Sequence, residues 1–219
     1  VFQAFAMDLE LRVAILTGAG EKFFSAGWDL VQAASGESDS GGFGKGGFGG
    51  LTQFFDLDKP VIAAINGYAL AGGWSIAQMC DLRLAADDAK LGISETKWSL
   101  LPPFGTVLPK MIPMSAVLEL VMTAQPITAQ RAYDIGFLNK VVPGDQLLEE
   151  ALTMAQQIAE NAPLAVQYFK ELAYRGLNMS TQDTSSLTYH MYDQLLQTED
   201  SKEGPLAFAE KRKPQWKGR

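Results

Sequence analysis

An α/β core followed by a helical extension is the fold class that this sequence predicts, and three observations carry it. Short apolar runs stop at glycine turns, as from Val13 to Gly18 and from Pro60 to Gly67. Helix-type spacing fills the intervals between such runs in the first two thirds of the chain. From Ser115 onward helical spacing takes over. The expected division is residues 1–143 as the α/β core and residues 144–219 as a helical carboxyl-terminal region.

The elements follow in chain order. Val1 to Met7 reads as the middle of a helix, and the first residue is not methionine, so the amino terminus is expected to be incomplete. Val13-Ala14-Ile15-Leu16-Thr17 is a buried strand running into the turn Gly18-Ala19-Gly20. Gly36 to Gly50 is almost free of aliphatic residues, cannot offset its ordering entropy by burial, and is expected to be a mobile surface loop. Pro60 opens a second strand ending at Asn66-Gly67, and Gly72-Gly73 leads into a helix from Trp74 to Cys80. Asp81 to Ala86 alternates like a strand, and Lys90 to Ile93 resembles another. Helix starts are expected at Thr128, whose hydroxyl can cap Arg131, and at Pro143-Gly144-Asp145, ahead of apolar residues at helical intervals up to Ala159.

Composition narrows the function. A chain of 219 residues with 47% hydrophobic residues can bury a full core, and a net charge of −7 opposes general nucleic-acid binding. No apolar run is long enough to span a bilayer. Cys80 is the single cysteine, which excludes an internal disulfide, fits a reducing compartment, and inside an apolar helix reads as an inert core residue. The expected compartment is the cytoplasm, with organellar targeting left open by the incomplete amino terminus. There is no paired C-x-x-C, histidine cluster or G-K-[ST], so no metal or nucleotide-hydrolysis site is expected. Gly42 to Gly47 matches G-x-G-x-x-G but follows no strand, which makes it a weak dinucleotide signal. His190, the only histidine, lies in the helical tail and offers no base to a serine nucleophile.

Chemistry concentrates in three segments: Phe24 to Leu30, Pro60 to Gly73, and Leu91 to Glu95. Glycine pairs let a backbone approach a ligand closely, and an amide at a helix amino terminus carries partial positive charge, which suits a developing oxyanion. Read together, Phe24-Ser25-Ala26-Gly27-Trp28-Asp29-Leu30 and Lys59-Pro60-Val61-Ile62-Ala63-Ala64-Ile65-Asn66-Gly67-Tyr68-Ala69-Leu70-Ala71-Gly72-Gly73 resemble the enoyl-CoA hydratase/isomerase (crotonase) family, with Ala71 where the family has the first of three glycines. The run from Glu203 to Pro214 also fits a family pattern and is similar to the carnitinyl-CoA dehydratase branch, as is the Gly27-Trp28-Asp29-Leu30 wording.

The resemblance implies a spiral of strand-strand-helix units with a carboxyl-terminal helical trimerisation region, as a homotrimer or homohexamer. It implies an acyl-CoA substrate, with no permanently bound cofactor and coenzyme A present only as part of the substrate. The thioester oxygen would sit between the N–H groups of Trp28 and Gly72, each such donor being worth ~2.7 to 4 kcal/mol in a transition state. Ala26, Asp29, Leu30, Gly73, Phe208 and Lys211 would contact substrate or coenzyme A. Phe208 and Lys211 would often serve a neighbouring subunit. The family's lysine two residues beyond Asp29 is Val31 here. Family hydratases use two glutamates, and the corresponding positions are Ser75 and Glu95. A serine cannot act as a base near neutral pH, so single-carboxylate proton transfer by Glu95, in the manner of an enoyl-CoA isomerase, is the first expectation. A hydratase or carnitinyl-CoA-type dehydratase is the alternative, and a non-catalytic acyl-CoA binder is the alternative of another class. Ser75 alone could equally be a small helix residue without a chemical role, and Glu95 a solvated carboxylate. Trp74, Trp98 and Phe104 suggest an aromatic pocket lining.

Overall fold

The structure is a computed structural model that describes residues 1–35, 44–101 and 105–219. The chain falls into two compact units. The first comprises Val1–Phe2, Ile15–Asp56 and Val61–Thr153, and the second Gln3–Ala14, Leu57–Pro60 and Met154–Arg219.

Strands of the first unit form two sheets. One has the order β1 (Ala14–Thr17), β3 (Val61–Ile65), β5 (Leu82–Ala86), β8 (Lys140–Val142), and the other β2 (Phe23–Ser25), β4 (Tyr68–Leu70), β6 (Lys90–Gly92), β7 (Ile127–Thr128). From β1 to β6 successive strands enter alternate sheets, and helices close the first two turns: β1 and β2 precede α2 (Leu30–Ala34), and β3 and β4 precede α3 (Gly72–Met79). This is the expected strand-strand-helix spiral. β3 pairs in parallel with β5, and β5 with β8. Every residue of β3 is buried, as a parallel strand covered on both faces requires, which is why Val61 to Ile65 reads as an unbroken apolar run.

Two polar side chains hold the spiral in register. The Asn66 carboxamide accepts the Gly18 N–H at 3.0 Å and donates to the carbonyls of Gly18 at 3.2 Å and Gly20 at 2.7 Å, tying the turn before β2 to the turn before β4. Arg83 is buried in β5, where its guanidinium donates to Cys80 O at 2.5 Å, to Ala77 O and Gln78 O at 3.5 Å, and through Nε to Phe137 O at 2.6 Å. A cation thus covers the carbonyl end of α3, where the helix dipole is negative. The alternation in Asp81 to Ala86 therefore does not mark a solvent face, because a polar residue points inward to meet a helix end.

The remaining first-unit helices are α1 (Phe2–Met7), which continues into the second unit, α4 (Met114–Thr123), α5 (Ala129–Asp134) and α6 (Leu147–Ala159), which crosses the same boundary. Thr128 caps α5 as expected, its Oγ1 accepting the Arg131 N–H at 3.1 Å. β7 and β8 interrupt the mostly helical region expected beyond Ser115. They are two and three residues long, too short for a periodic signal, and they form by pairing with β6 and β5.

In the second unit, α7 (Pro163–Gly176) packs on α8 (Thr181–Leu196), and α9 (Asp200–Ala209) follows. Lys59 donates to the carbonyls of Phe5, at 2.9 Å, and Asp8, while Lys170 donates to Lys59 O at 2.9 Å. Those bonds gather segments remote in sequence, and the helical unit takes in Gln3–Ala14 and Leu57–Pro60 together with Met154–Arg219. No helix among the described residues is long and apolar enough to cross a membrane.

Candidate active site

The amino terminus of α3 is the centre of the site. Gly73 lies so close to the end of β2 that an added Cβ would stand 2.0 Å from Ser25 O. Gly27 has φ +88°, and a Cβ there would meet the Gly72 nitrogen at 2.6 Å. Only glycine lets these two backbones touch, and the contact places the Gly27-Trp28 peptide beside the first amide of α3. Among the described residues the Gly72 N–H has no hydrogen-bond acceptor, as expected for the first residue of a helix. The Gly27 N–H is held by Ser25 Oγ at 3.2 Å.

Downstream of Trp28, the Asp29 carboxylate accepts the N–H groups of Val31 at 2.9 Å and Gln32 at 3.1 Å and so caps α2. Ala26 and Leu30 are exposed beside it. Phe48, which sequence reading missed, packs its ring against Gly72, where an added Cβ would meet its Cε1 at 2.5 Å. It belongs to a 3-10 turn, Phe48–Gly50, so the described part of the glycine-rich segment is packed against α3 rather than a surface loop. The signal was an aromatic residue among glycines, which a composition argument averages away. Residues 36–43 of that segment, and Phe104, lie outside the described residues.

Ala71 precedes α3 with φ 52° and ψ −121°, a conformation that an L-residue adopts at a cost and glycine does not. Ala71→Gly is expected to stabilise the fold by about 1 kcal/mol, read as a higher urea midpoint, because relief of backbone strain exceeds the added freedom of the unfolded chain. A shift to a lower midpoint would show that Ala71 is unstrained.

Glu95 opens a 3-10 turn, Glu95–Trp98, just after β6. The last residue of β6, Gly92, accepts the Ala71 N–H at 2.9 Å, so the sheet delivers Glu95 three residues beyond the anchor point of α3. The side chain is buried at 8% exposure, and Oε2 has no hydrogen-bond partner among the described residues. Burial raises its pKa, opposed by backbone hydrogen bonds at Glu95 and Ser94. The solvated alternative for Glu95 is thereby removed. A buried carboxyl with an unmade hydrogen bond costs stability.

Ser75, one turn into α3, is buried, and its Oγ donates to Ala71 O at 3.3 Å. Trp74 is 1% exposed and stacks on Phe137 at 4.1 Å between ring centroids, while Trp98 is 62% exposed, so the former is core and the latter is no buried wall. Cys80 is buried, as expected. His190 is exposed on α8 with Nε2 3.3 Å from Gln194 Nε2.

The second unit carries the other expected contacts. Phe208 is 87% exposed at the end of α9. Of the five basic residues from Lys211 to Arg219, Arg212 pairs with Glu203 and Glu210, Lys213 with Glu160, and Lys217 and Arg219 with Glu199. Glu203 is held down to about 2, first by its hydrogen bonds from Arg212 and then by the Gln215 N–H. The tail is therefore largely neutralised by its own acidic partners. Lys211 is exposed, has φ 54°, and has no ion-pair partner among the described residues.

Comparison with known proteins adds the following. A family model described as enoyl-CoA hydratase/isomerase matches residues 1–219. A carnitinyl-CoA dehydratase of Salmonella arizonae is 48% identical over 99% of this chain and 85% of its own length, and one of Proteus mirabilis is 47% identical over 100% and 86%. Crystal structures of enoyl-CoA hydratases from Mycobacterium marinum and Bacillus anthracis superpose with TM-scores of 0.91 and 0.90 at 36% and 37% identity, each over 100% of this chain and 85% and 86% of the other.

Proposed function

Because this chain belongs to the enoyl-CoA hydratase/isomerase family and has its crotonase fold, we propose that it adds or removes water across C2 and C3 of an acyl-CoA thioester, with Glu95 as the working carboxylate. The observation that carries the reading is the buried Glu95 carboxyl, whose Oε2 has no hydrogen-bond partner among the described residues, three residues beyond the Gly92 carbonyl that accepts the Ala71 N–H ahead of α3. Relatives named carnitinyl-CoA dehydratase at 47 and 48% identity favour this lyase chemistry over isomerisation, which was the first expectation from the sequence.

In the dehydration direction the Glu95 carboxylate takes a proton from C2 of a 3-hydroxyacyl thioester. The electron pair moves onto the thioester oxygen, held by the N–H groups of Trp28 and Gly72, giving an enolate. Glu95, now neutral, returns that proton to the C3 hydroxyl as the C3–O bond breaks, the enolate collapses to the 2-enoyl thioester, and water leaves. One carboxylate thus closes the cycle without the second glutamate that Ser75 replaces. Burial of Glu95 suits both halves, because it disfavours the charged form and makes the carboxylate a stronger base. Gly73 holds the helix against β2, while Ala26, Asp29 and Leu30 form the rim. Phe208 and Lys211 would offer a ring and a cation to coenzyme A, often that of a neighbouring subunit. Exposed Phe169, Tyr189 and Tyr192 in the second unit support a homo-oligomer.

Ser75 favours a second reading, isomerisation, in which Glu95 returns the proton at C4 instead. Proton NMR of 3-hydroxybutyryl-CoA, crotonyl-CoA and 3-hexenoyl-CoA in D₂O with the protein separates the two. Interconversion of the first pair with deuterium at C2 is expected. Double-bond migration in the third without water addition would transfer the assignment to isomerisation, and no change in any of them would leave an acyl-CoA binder.

A further inference from the structure

The peptide linking Ala71 to Gly72 is held at its carbonyl by two hydrogen bonds, and the peptide before it is anchored to β6. The Ala71 N–H donates to Gly92 O at 2.9 Å, and the Ala71 carbonyl accepts both the Ser75 N–H at 3.1 Å and the Ser75 hydroxyl at 3.3 Å. The N–H of this same peptide is that of Gly72. We infer that Ser75 is a positioning residue of the oxyanion site, its hydroxyl orienting and polarising the Ala71–Gly72 peptide whose N–H meets the thioester oxygen. The inference rests on the reading of Gly72 given above.

The physical basis is that hydrogen bonds in a chain polarise one another. A bond accepted by the carbonyl of a peptide draws electron density from its nitrogen and makes its N–H a better donor, by some 10–30% per bond. An ordinary helix carbonyl receives one backbone bond, and here a second is added by a side chain that is 3% exposed. The extra bond matters more in this chain because Ala71 has φ 52°, so the peptide starts from a conformation its own residue resists. A serine at the position of a family glutamate is then a supporting group for the oxyanion donor, with its proton committed to Ala71 O. It does not stand in for the lost carboxylate.

The test uses the whole chain, labelled with nitrogen-15. In Ser75→Ala the Gly72 nitrogen is expected to move upfield in the free protein and to return in Ser75→Thr, whose Oγ1 can make the same bond to the residue four back. Alongside, the exchange of the C2 protons of butyryl-CoA into D₂O is expected to slow by about 3- to 10-fold in kcat, with KM unchanged, and to be restored by Ser75→Thr. A Gly72 nitrogen that stays in place in Ser75→Ala overturns the inference whatever the exchange rate does. A nitrogen that moves without any change in exchange overturns instead the assignment of Gly72 as oxyanion donor, and the role of Ser75 falls with it. Loss of folding in Ser75→Ala would appear in the far-ultraviolet circular dichroism, and the Ser75→Thr spectrum against wild type then decides, a restored Gly72 shift supporting the inference and an altered one refuting it.

Discussion

Glu95→Gln is expected to lower kcat by about 10²- to 10⁴-fold, the usual cost of removing one general acid/base group, while an acyl-CoA still binds. Stopped turnover together with retained isothermal-titration binding is the signature, and a variant that keeps wild-type turnover would remove Glu95 from the mechanism. The same substitution should raise thermal stability at neutral pH. The sign follows from the direction of the shift. Burial raises the folded-state pKa of Glu95 above its unfolded value, so the folded state prefers the protonated form. Stability from this group is complete below the unfolded pKa and is lost as pH rises through the folded one. Glutamine resembles the protonated form at every pH, so the gain in Tm should be seen at neutral pH and vanish in acid. Activity is expected to run the other way, since the ionised carboxylate is the proposed base. The acid limb of the kcat/KM profile should therefore lie above the ordinary glutamate range.

Gly27→Ala should be nearly as damaging by another route. An added Cβ would stand 2.6 Å from the Gly72 nitrogen and 3.2 Å from the Ala71 Cβ, so the segment carrying Trp28 must separate from α3. The two proposed oxyanion donors, Trp28 and Gly72, would lose their alignment, and kcat is expected to fall by about 10²- to 10³-fold. Gly20→Ala supplies the control. Gly20 has φ +75° but open space around its Cβ position, so both variants bear a left-handed strain of roughly 1–2 kcal/mol and only one has the collision. Equal activity losses in the two, measured as kcat/KM on the substrate identified by NMR, would mean that strain and not alignment is responsible.

Ser75 is where the two kinds of evidence pull apart. A 48% identical relative carries the name of a dehydratase, whereas the serine removes one of the two carboxylates that the family resemblance implies for hydratases. A single buried carboxylate that takes a proton from C2 and hands it to the departing hydroxyl reconciles them. It also predicts a slower enzyme than a two-glutamate one, because one group must both take the proton at C2 and deliver it at C3 within each turnover.

Much of this was determined by the sequence alone. The buried strand from Val61 to Ile65, the glycine turns, the cap at Thr128 and the order of the motif segments are local properties, written in the run of residues that forms each element. Three matters were decided by tertiary structure. The burial of Glu95 depends on what β6 delivers it into, and a lone glutamate after a strand carries no sign of that. Arg83 reads as the polar half of an alternating strand until the carbonyl end of α3 is placed over it. Phe48 sits in a glycine-rich stretch whose composition predicts no packing, yet its ring meets Gly72 from across the chain. The contacts of Phe48 with Gly72 and of Arg83 with Phe137 join residues far apart in sequence. Local patterns encode which backbone conformation is cheap, whereas burial and pKa depend on what lies opposite, and only the closed spiral supplies that.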